Sequence, residues 1–418
     1  MQDRSDESVV EKMNADGNAV AKANDQTILC HVGRETDAHY GAVNTPVYHA
    51  STILFPTLAA HDAKQDARVR YGRRGTPTQF SLEDAVSALE GAAGTVLTPS
   101  GAMAISTALL AFARAGAHYL IPDNVYGPCR HCCTEILKPL GVDVTYYDPA
   151  IGAGIADLMT PATRLIWMEA PGSQTFEMCD IGAIARVARE RDVITVIDNT
   201  WAAGFYLKPL ALGIDISLQA GTKYLSGHSD VMMGTLACAS NIFPRIKDFA
   251  QRLGVCVGPD DAYLVNRGMR TLAVRMRQHN ESAFQIALWL QSRPEVLKVL
   301  HPALPDDPGH FIWKEYFTGA SGLFGFILKP VERSCLAKML DDMQYFGMGA
   351  SWGGYESLLI PTNPASLRTA TAWRPEGQAM RIHVGLEDPA DLIADLEAGF
   401  ERLAAAERKL ANSMRRAL

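Results

Sequence analysis

The sequence predicts an α/β protein with a large domain built on a mainly parallel sheet, followed by a smaller C-terminal α/β domain. Between about Tyr71 and Arg270, short apolar runs alternate with segments of helical periodicity, as in proteins with a parallel sheet. After Arg270 this alternation gives way to a long helical segment, two strands and a closing amphipathic helix. A chain of 418 residues is also too long for one simple core, so two or more domains are expected.

The large domain is predicted to hold seven strands, each a short run rich in β-branched, aromatic or other apolar residues. Their segments are GTVLTP, HYLIPD, DVTYYD, RLIWMEA, VITVIDN, DISLQAG and the region Met233–Ala239. Helices are predicted at MAISTALLAFARAG and IGAIARVARERD, where apolar residues recur at steps of three and four. We therefore expect a seven-stranded sheet with helices between its strands.

The C-terminal domain is predicted to begin with a helix over RTLAVRMRQHNESAFQIALWLQSR, followed by strands at VLKVLHP and LFGFILK. The segment ADLIADLEAGFERLAAAERKL predicts an amphipathic helix with Leu403, Ala406 and Leu410 on one face. The first 26 residues are polar and predict a mobile tail. The expected units are a tail and arm at 1–70, a large domain at 71–270 and a small domain at 271–418.

Bulk properties exclude several classes of protein. The net charge of −7 and the pI near 5.9 argue against a general nucleic-acid binder. No segment approaches the ~18 apolar residues of a membrane span, and the acidic start MQDRSDESVVEKMN does not resemble a leader, so a cytoplasmic location is expected. The eight cysteines are scattered and predict reduced thiols. The run HCC lacks zinc-ligand spacing, so no metal is expected.

Lys223 and Asp198 follow two predicted strands of the large domain. Active residues of open α/β sheets collect at the carboxyl ends of strands. A lysine amine there can form a Schiff base with the aldehyde of pyridoxal phosphate, and an acid can keep the pyridine nitrogen protonated. Taken singly, Lys223 could be a surface lysine and Asp198 a strand cap, so their joint occurrence carries the interpretation.

The segment LTPSGAMAISTALLAF reads as a strand, a tight turn at Gly101 and a helix. The free amides at a helix N-terminus bind phosphate well, although Ser-Gly before a helix is often only an N-cap. Thr222 could add a hydroxyl to a phosphate site. Tyr126 follows a predicted strand and could stack on an aromatic cofactor, or it could be an ordinary turn residue.

Further candidates lie outside these strands. Arg73 and Arg74 stand between glycines and suit bidentate contacts to phosphate or carboxylate, or form a solvated basic turn. Arg381 lies in a strand-like alternation from which it could bind a carboxylate. Trp352 precedes two glycines and could form the wall of a pocket. Either residue could instead be structural.

The chain resembles the fold-type I pyridoxal-phosphate enzymes of cysteine and methionine metabolism, the trans-sulfuration family, and within them the bacterial cystathionine β-lyases. The resemblance covers about residues 27 to 405. It rests on the ordered motifs YGRRGTPT, IDNTWAAG, GTKYLSGHSD, HPALP, TGASGLFGF, SWGGYESL and IHVGLED. Agreement of this many segments in one order is highly specific. It implies the fold of these enzymes and pyridoxal 5'-phosphate as the cofactor.

The resemblance implies that Lys223 forms the Schiff base and later acts as the general base. It implies that Asp198 contacts the pyridine nitrogen and that Tyr126 stacks on the ring and assists proton transfer. The amides of Gly101 and Ala102 and the hydroxyl of Thr222 are expected to hold the phosphate.

The resemblance also implies that active sites are built across a dimer. Tyr71 and Arg73 are expected to reach the phosphate of a neighbouring subunit, and two dimers are expected to form a tetramer. Arg381 is expected to bind the substrate α-carboxylate, with Trp352, Ser351 and Arg74 also at the substrate. The substrate is then a small amino-acid thioether.

Two positions depart from the family pattern. Many members read Ser-x-Thr-Lys at the lysine, whereas Ala220 stands here in place of the serine and removes one phosphate hydroxyl. Many also read Glu-Ser-Pro-x-Asn-Pro, and Ser173 here replaces the asparagine near the phenolic oxygen of the cofactor. Tyr355, with Trp352, favours a β-lyase over relatives that act at the γ-carbon.

The expected activity is β-elimination of cystathionine to homocysteine, pyruvate and ammonia, a step of methionine biosynthesis. Action on cystine and other cysteine S-conjugates is also expected, because the contact to the substrate α-carboxylate does not depend on the group at the distant end of the substrate. The alternatives are γ-elimination or γ-replacement, and a non-catalytic protein that binds the cofactor. A nicotinamide oxidoreductase is disfavoured, since no G-x-G-x-x-G opens the first βα unit.

Overall fold

The large sheet contains all seven of the strands that the sequence predicts. The computed structural model describes residues 23–65 and 67–417, so the predicted tail lies mainly outside the described residues. The strands are β1 (Gly94–Thr98), β2 (His118–Pro122), β3 (Asp143–Tyr147), β4 (Thr163–Glu169), β5 (Ile194–Asp198), β6 (Ile216–Ala220) and β7 (Gly234–Cys238). Their order in the sheet is β1-β7-β6-β5-β4-β2-β3. Only β7 runs antiparallel to its neighbours, which confirms a mainly parallel sheet.

The large sheet is buried on both faces. In β4, Ile166 and Met168 belong to one apolar core while Leu165 and Trp167 belong to the other. Successive side chains of a strand point to opposite faces, so a strand between two cores is apolar throughout. This explains why the predicted strands of the large domain read as apolar runs rather than as an alternation of apolar and polar residues.

Helices follow most strands and cover both faces of the sheet. The helices are α1 (Asp25–His31), α2 (Leu58–Asp62), α3 (Pro77–Glu90), α4 (Gly101–Leu110), α5 (Gly127–Cys132), α6 (Ile181–Glu190), α7 (Phe243–Arg252), α8 (Pro259–Met269), α9 (Leu272–Gln291), α10 (His310–Tyr316), α11 (Arg333–Leu340) and α12 (Pro389–Ala417). Short 3-10 segments lie at Thr36–His39, Gly72–Arg74, Pro149–Leu158, Pro209–Leu212 and Pro364–Leu367, and a π-helical turn at Cys133–Leu137. The predicted helices at α4, α6, α9 and α12 are confirmed. No described helix is long and apolar enough to cross a bilayer.

The C-terminal part forms a separate four-stranded antiparallel sheet. Its strands are β8 (Val296–Leu300), β9 (Leu323–Leu328), β10 (Leu358–Thr362) and β11 (Gln378–His383), in the order β10-β11-β9-β8. Phe324 and Phe326 of β9 pack with Leu396 and Phe400 of α12 in one apolar core. This arrangement confirms a second, smaller α/β unit.

Some elements differ from the sequence-based expectation. Strand β10 was not predicted, because Pro361 lies within it; it is an edge strand, where a missing amide is tolerated. Helix α4 ends at Leu110, several residues before the predicted end at Gly116, which has a φ of +78°. Helix α3 was also not predicted, although Thr76 and Gln79 form a capping box at its start.

Candidate active site

Lys223 lies in a cavity of about 230 Å³ at the carboxyl edge of the large sheet. It follows β6 by three residues, and its Nζ donates a hydrogen bond to Ser351 Oγ at 2.6 Å. The same Nζ lies 5.3 Å from the ring centroid of Trp352. The predicted site residues that line this cavity are Gly101, Ala102, Tyr126, Asp198, Thr222, Lys223, Trp352 and Arg381.

The amine of Lys223 is easier to deprotonate than an ordinary lysine. Burial and, to a smaller extent, the positive charge of Arg381 lower its pKa to about 8, against the opposite effect of Asp198 and Glu356. Burial disfavours the charged ammonium, and a nearby cation does the same. A substantial fraction of this amine is therefore unprotonated near neutral pH, as a nucleophile or base requires.

Asp198 is the last residue of β5 and also faces the cavity. Thr200 donates to its Oδ1 from both the backbone amide, at 3.0 Å, and the hydroxyl, at 2.5 Å. The Thr200 Oγ1 also accepts from the amide of Ala220 at 2.9 Å, which joins the ends of β5 and β6. Burial raises the pKa of Asp198, whereas the Thr200 bonds and the charge of Lys223 lower it. Thr200 thus orients this carboxylate, a role that the sequence did not reveal.

The start of α4 gives the cavity a site suited to an anion. Gly101 and Ala102 begin α4, and Ser100 caps the helix by accepting from the amide of Met103 at 3.1 Å. A Cβ on Gly101 would lie 2.8 Å from the Cβ of Ala220, so the close approach of the two segments requires glycine. The first amides of the helix have no partner within it and are available to a phosphate.

Thr222 also lines the cavity. Its hydroxyl accepts from the amide of Met233 at 2.9 Å and lies 3.2 Å from the carbonyl oxygen of the same residue. These contacts fix the side chain between β6 and the segment before β7. Ala220 supplies no second hydroxyl beside it.

Tyr126 is half exposed, at 44%, and lines the cavity at the start of α5. Its amide donates to Glu169 Oε2 at 2.8 Å, which fixes the turn that carries the ring. Burial raises the pKa of the Tyr126 phenol, and the carboxylates of Asp198 and Glu169 raise it further. The phenol therefore keeps its proton.

Glu169 is a buried acid of the cavity that the sequence did not single out as functional. It ends β4 directly beside Asp198, its register partner on the parallel strand β5. Burial raises the pKa of Glu169 well above its usual value, and Asp198 adds to that shift. Its signal in the sequence was its position at the end of the predicted strand RLIWMEA, next to the strand that ends in Asp198.

Arg381 extends from β11 of the small sheet into the cavity. Its Nη2 donates to the carbonyl oxygens of Gly349, Ala350 and Ser351 at 3.2, 2.9 and 3.1 Å. Its Nε and Nη1 make no hydrogen bond to any residue in the described part of the chain. The guanidinium is thus held by one nitrogen, with two more donors for a carboxylate.

Tyr71, Arg73 and Arg74 do not reach the cavity of their own chain. Arg73 donates to the carbonyl of Gln251 at 2.9 Å, and Arg74 donates to its Oε1 at 3.1 Å. Both arginines line a separate pocket beside Gln251. That they and Tyr71 act in the site of a neighbouring subunit stays a prediction.

A family model for Cys/Met metabolism PLP-dependent enzymes matches residues 26–401. The chain belongs to this family. Its cofactor is accordingly pyridoxal 5'-phosphate, and its substrate is a small amino acid. Within 23–65 and 67–417, no group of three or more His, Cys, Asp or Glu side chains is placed to hold a metal ion.

Three relatives of this PLP-dependent chain carry different names. A protein of Escherichia coli named cystathionine beta-lyase MetC is 45% identical over 90% of this chain and 98% of its own length. An L-alanine/L-glutamate racemase of Wolbachia pipientis is 42% identical, with coverage of 91% and 97%. The crystal structure of cystathionine gamma-lyase from Lactobacillus plantarum, complexed with L-serine, has a TM-score of 0.84 at 32% identity, with coverage of 91% and 100%.

The residues of the cavity fit pyridoxal phosphate. An amine at Lys223 and a carboxyl at Asp198, both half-buried, share one cavity, as the aldehyde and the pyridine nitrogen require. The start of α4 opens onto the same space, and the glycine there allows close approach of the backbone to a phosphate. Ser173 also lines the cavity, at the position where many family members have asparagine.

Proposed function

We propose that this PLP-dependent enzyme is a β-lyase that converts L-cystathionine and one water to homocysteine, pyruvate and ammonia. The observation that carries the proposal is the convergence of Lys223, Asp198 and Arg381 on one cavity, with Trp352 in its wall. The 45% identity with the β-lyase of Escherichia coli over nearly the full length supports the same reaction. Cystine and other cysteine S-conjugates are proposed as further substrates.

The cofactor, when bound, supplies an aldehyde that captures amines and a pyridinium ring that accepts electrons from the substrate Cα. Asp198 keeps that ring nitrogen protonated, since a carboxylate favours a neighbouring positive charge. The two bonds from Thr200 hold the carboxylate in place for this contact. Gly101, Ala102 and Thr222 hold the phosphate.

Arg381 orients the substrate by binding its α-carboxylate through the donors that the 349–351 carbonyls leave free. This contact places the substrate Cα near Lys223, on the side of the cavity walled by Trp352. The Lys223 amine removes the Cα proton, for which a pKa of about 8 is suited near neutral pH.

The β-sulfur leaves as a thiolate, whose conjugate acid has a pKa of about 8.5, so its departure needs little acid assistance. Tyr126 keeps its proton in this environment and could donate a hydrogen bond to the departing sulfur or to the phenolic oxygen of the cofactor. A role for Tyr126 as a proton donor fits the site better than a role as a phenolate base.

The active sites are proposed to form between two copies of the chain, and two dimers to form a tetramer in the cytoplasm. The support is the arm that precedes the large domain, where Tyr40, Leu54 and Leu58 are 105%, 87% and 76% exposed. Such apolar exposure indicates a surface that a partner covers. Tyr71, Arg73 and Arg74 lie just beyond this arm, and the boundaries 1–70, 71–270 and 271–418 describe the proposed units.

Product analysis with L-cystathionine and the purified holoenzyme tests this function. Pyruvate and homocysteine in equal amounts are the expected products. Formation of 2-oxobutyrate and cysteine instead would overturn the proposal in favour of γ-elimination, the reaction class of the Lactobacillus neighbour. A yellow holoenzyme without turnover on any β-substituted amino acid would favour a non-catalytic protein.

Racemisation is a second candidate activity, because a racemase is 42% identical over 91% of this chain. Removal and return of a Cα proton need the same amine and carboxylate contacts as β-elimination. Incubation with L-alanine, which has no leaving group, separates the two reactions. Formation of D-alanine at a rate comparable to pyruvate release from cystathionine would make racemisation a main activity.

A further inference from the structure

A cluster of three buried rings lies behind Lys223 and takes no part in the chemistry described above. Tyr224, His279 and His383 are each at most 1% exposed. The ring centroids of Tyr224 and His279 lie 5.1 Å apart, those of His279 and His383 5.3 Å, and those of Tyr224 and His383 5.9 Å. The cluster thus joins the chain neighbour of Lys223 to helix α9 and strand β11.

His383 holds the turn formed by residues 351–354. The amide of Gly353 donates to His383 Nε2 at 3.1 Å, and the carbonyl oxygen of Gly354 lies at the same distance from that nitrogen. Gly353 has a φ of +86°, and a Cβ there would lie 3.0 Å from backbone atoms of Lys223. The turn therefore packs directly on the backbone of the active lysine.

The same turn carries the side chains that surround the lysine amine. Ser351 accepts from Lys223 Nζ, and the Trp352 ring lies beside that nitrogen. Arg381, two residues before His383 on β11, holds the carbonyls of 349–351. Strand β11 thus contacts residues 349–354 at two points. One contact is made by the cation of Arg381 and the other by the neutral ring of His383.

The hydrogen bonds of the two histidines differ in what they require of the rings. His279 Nδ1 donates to the carbonyl of Val384 at 2.8 Å, which leaves its Nε2 without a proton when the ring is neutral. His383 Nε2 accepts from the amide of Gly353 in one neutral tautomer and donates to the carbonyl oxygen of Gly354 in the other, so it holds the turn in both. His383 Nδ1 and His279 Nε2 are buried without a hydrogen-bond partner among the described residues.

Both rings are neutral in this environment. Burial lowers the pKa of His279 to about 4, with Arg275 adding to the effect. Burial, His279, Arg381 and Lys223 all lower the pKa of His383 well below its usual value. A protonated His383 could not accept from Gly353, and the surrounding cations disfavour that form of the ring.

We propose that His383 is a positioning residue for the reaction, and that its neutral Nε2 sets the 351–354 turn against Lys223. The inference rests on the proposed function for the role of Lys223, but the contact itself does not depend on the identity of the substrate. Loss of the Nε2 contact lets the turn relax, which admits water around the lysine nitrogen and moves Arg381.

Three variants of the holoenzyme test this role. His383→Leu removes the hydrogen-bonding atom, whereas His383→Gln retains one, because the Gln terminal atoms lie as many bonds from Cα as His Nε2 does. His301→Leu is the matched control, since His301 is a fully buried neutral histidine whose pKa burial lowers to about 4 and which does not contact the turn. The first readout is the pH midpoint of the absorbance change of the lysine-bound cofactor, measured without substrate.

The midpoint in His383→Leu is expected to rise by about half a pH unit or more, because hydration and a displaced Arg381 favour the protonated lysine nitrogen. Its kcat/KM is expected to fall about tenfold or more, as for other losses of a positioning contact. His383→Gln should restore most of the wild-type pH midpoint and most of the wild-type kcat/KM. His301→Leu should lower only the thermal midpoint of unfolding. Equal midpoints in His383→Leu, His301→Leu and the wild type would overturn the proposal, whatever the substrate proves to be.

Discussion

Lys223 shows at the scale of one residue how burial and charge prepare an amine for reaction. Burial is the largest cause of its lowered pKa, and Arg381 is the second. Capture of pyridoxal phosphate by the cofactor-free chain should therefore accelerate with rising pH and level off above about 8 rather than near 10.5. Absorbance of the captured cofactor in a stopped-flow series measures this midpoint.

Arg381→Gln should raise that midpoint, because it removes a cation that disfavours the ammonium. The surface residue Arg252 provides the control, since its side chain is 76% exposed and Arg252→Gln should leave the midpoint unchanged. An unchanged midpoint in Arg381→Gln would show that burial alone sets the reactivity of the lysine.

Glu169 is expected to act as a neutral hydrogen-bond acceptor for the Tyr126 turn. Glu169→Gln keeps an acceptor for that amide and should retain activity and cofactor affinity within about threefold, whereas Glu169→Leu should lose about tenfold in both. The raised pKa also makes stability depend on pH. The protonated carboxyl of Glu169 stabilises the folded protein below the pKa that this group has in the unfolded chain, and this stabilisation is lost as the pH rises. Urea unfolding should show that the free energy of unfolding of Glu169→Gln rises relative to that of the wild type as the pH increases above about 5.

The residue-level predictions from sequence depended on strand ends. Asp198 and Lys223 were recognisable because each follows a clear apolar strand. Glu169 ends an equally clear strand, but only the pairing of β4 with β5 shows that it lies beside Asp198. Thr200 and His383 act through contacts with residues 20 and 30 positions away, which no local pattern reveals.

At the scale of elements, Asp123 links the end of β2 to the segment between β10 and β11. Its carboxylate accepts from the amides of Thr369 and Thr371 at 3.0 and 2.8 Å and from Arg130 Nη2 at 2.6 Å, with no exposed side-chain surface. Despite the cost of burial, these bonds hold the pKa of Asp123 well below its usual value. The link fixes the turn that ends in Tyr126, three residues later.

Asp123→Asn should lower the free energy of unfolding by about 3 to 5 kcal/mol, because it leaves the buried cation Arg130 without its acidic partner, whereas Arg368 keeps its ion pair with Glu177. Asp84→Asn is the control, since it breaks an ion pair with Arg68 that is about half exposed and should cost less than about 1 kcal/mol. Urea unfolding measures both. Equal losses in the two variants would contradict the importance of the buried link.

The elements that the sequence predicts best are the buried strands, because apolar runs of that length between two cores leave a clear pattern. The edge strand β10 and the Asp123 link could not be predicted from an apolar run. Strand β10 contains a proline that only its edge position permits. The link joins residues 246 positions apart, so its stabilising contacts become visible only in the folded chain.

At the scale of the whole molecule, the proposed dimer predicts complementation between inactive variants. If Arg73 acts in the site of the partner, a mixed dimer of Lys223→Ala and Arg73→Ala chains contains one site with both residues intact. Random pairing makes roughly half the dimers mixed, so refolding the two variants together should restore about a quarter of wild-type activity. Activity no higher than the sum of the separate variants would show that Arg73 does not act across subunits.

The central claim is that Lys223 binds the cofactor at the carboxyl edge of the large sheet. Borohydride reduction of the holoenzyme, followed by proteolysis and mass spectrometry, tests it most directly. A single pyridoxyl-modified lysine is expected in the peptide AGTKYLSGHSD, at Lys223. A stoichiometric modification at any other lysine, with Lys223 unmodified, would contradict it.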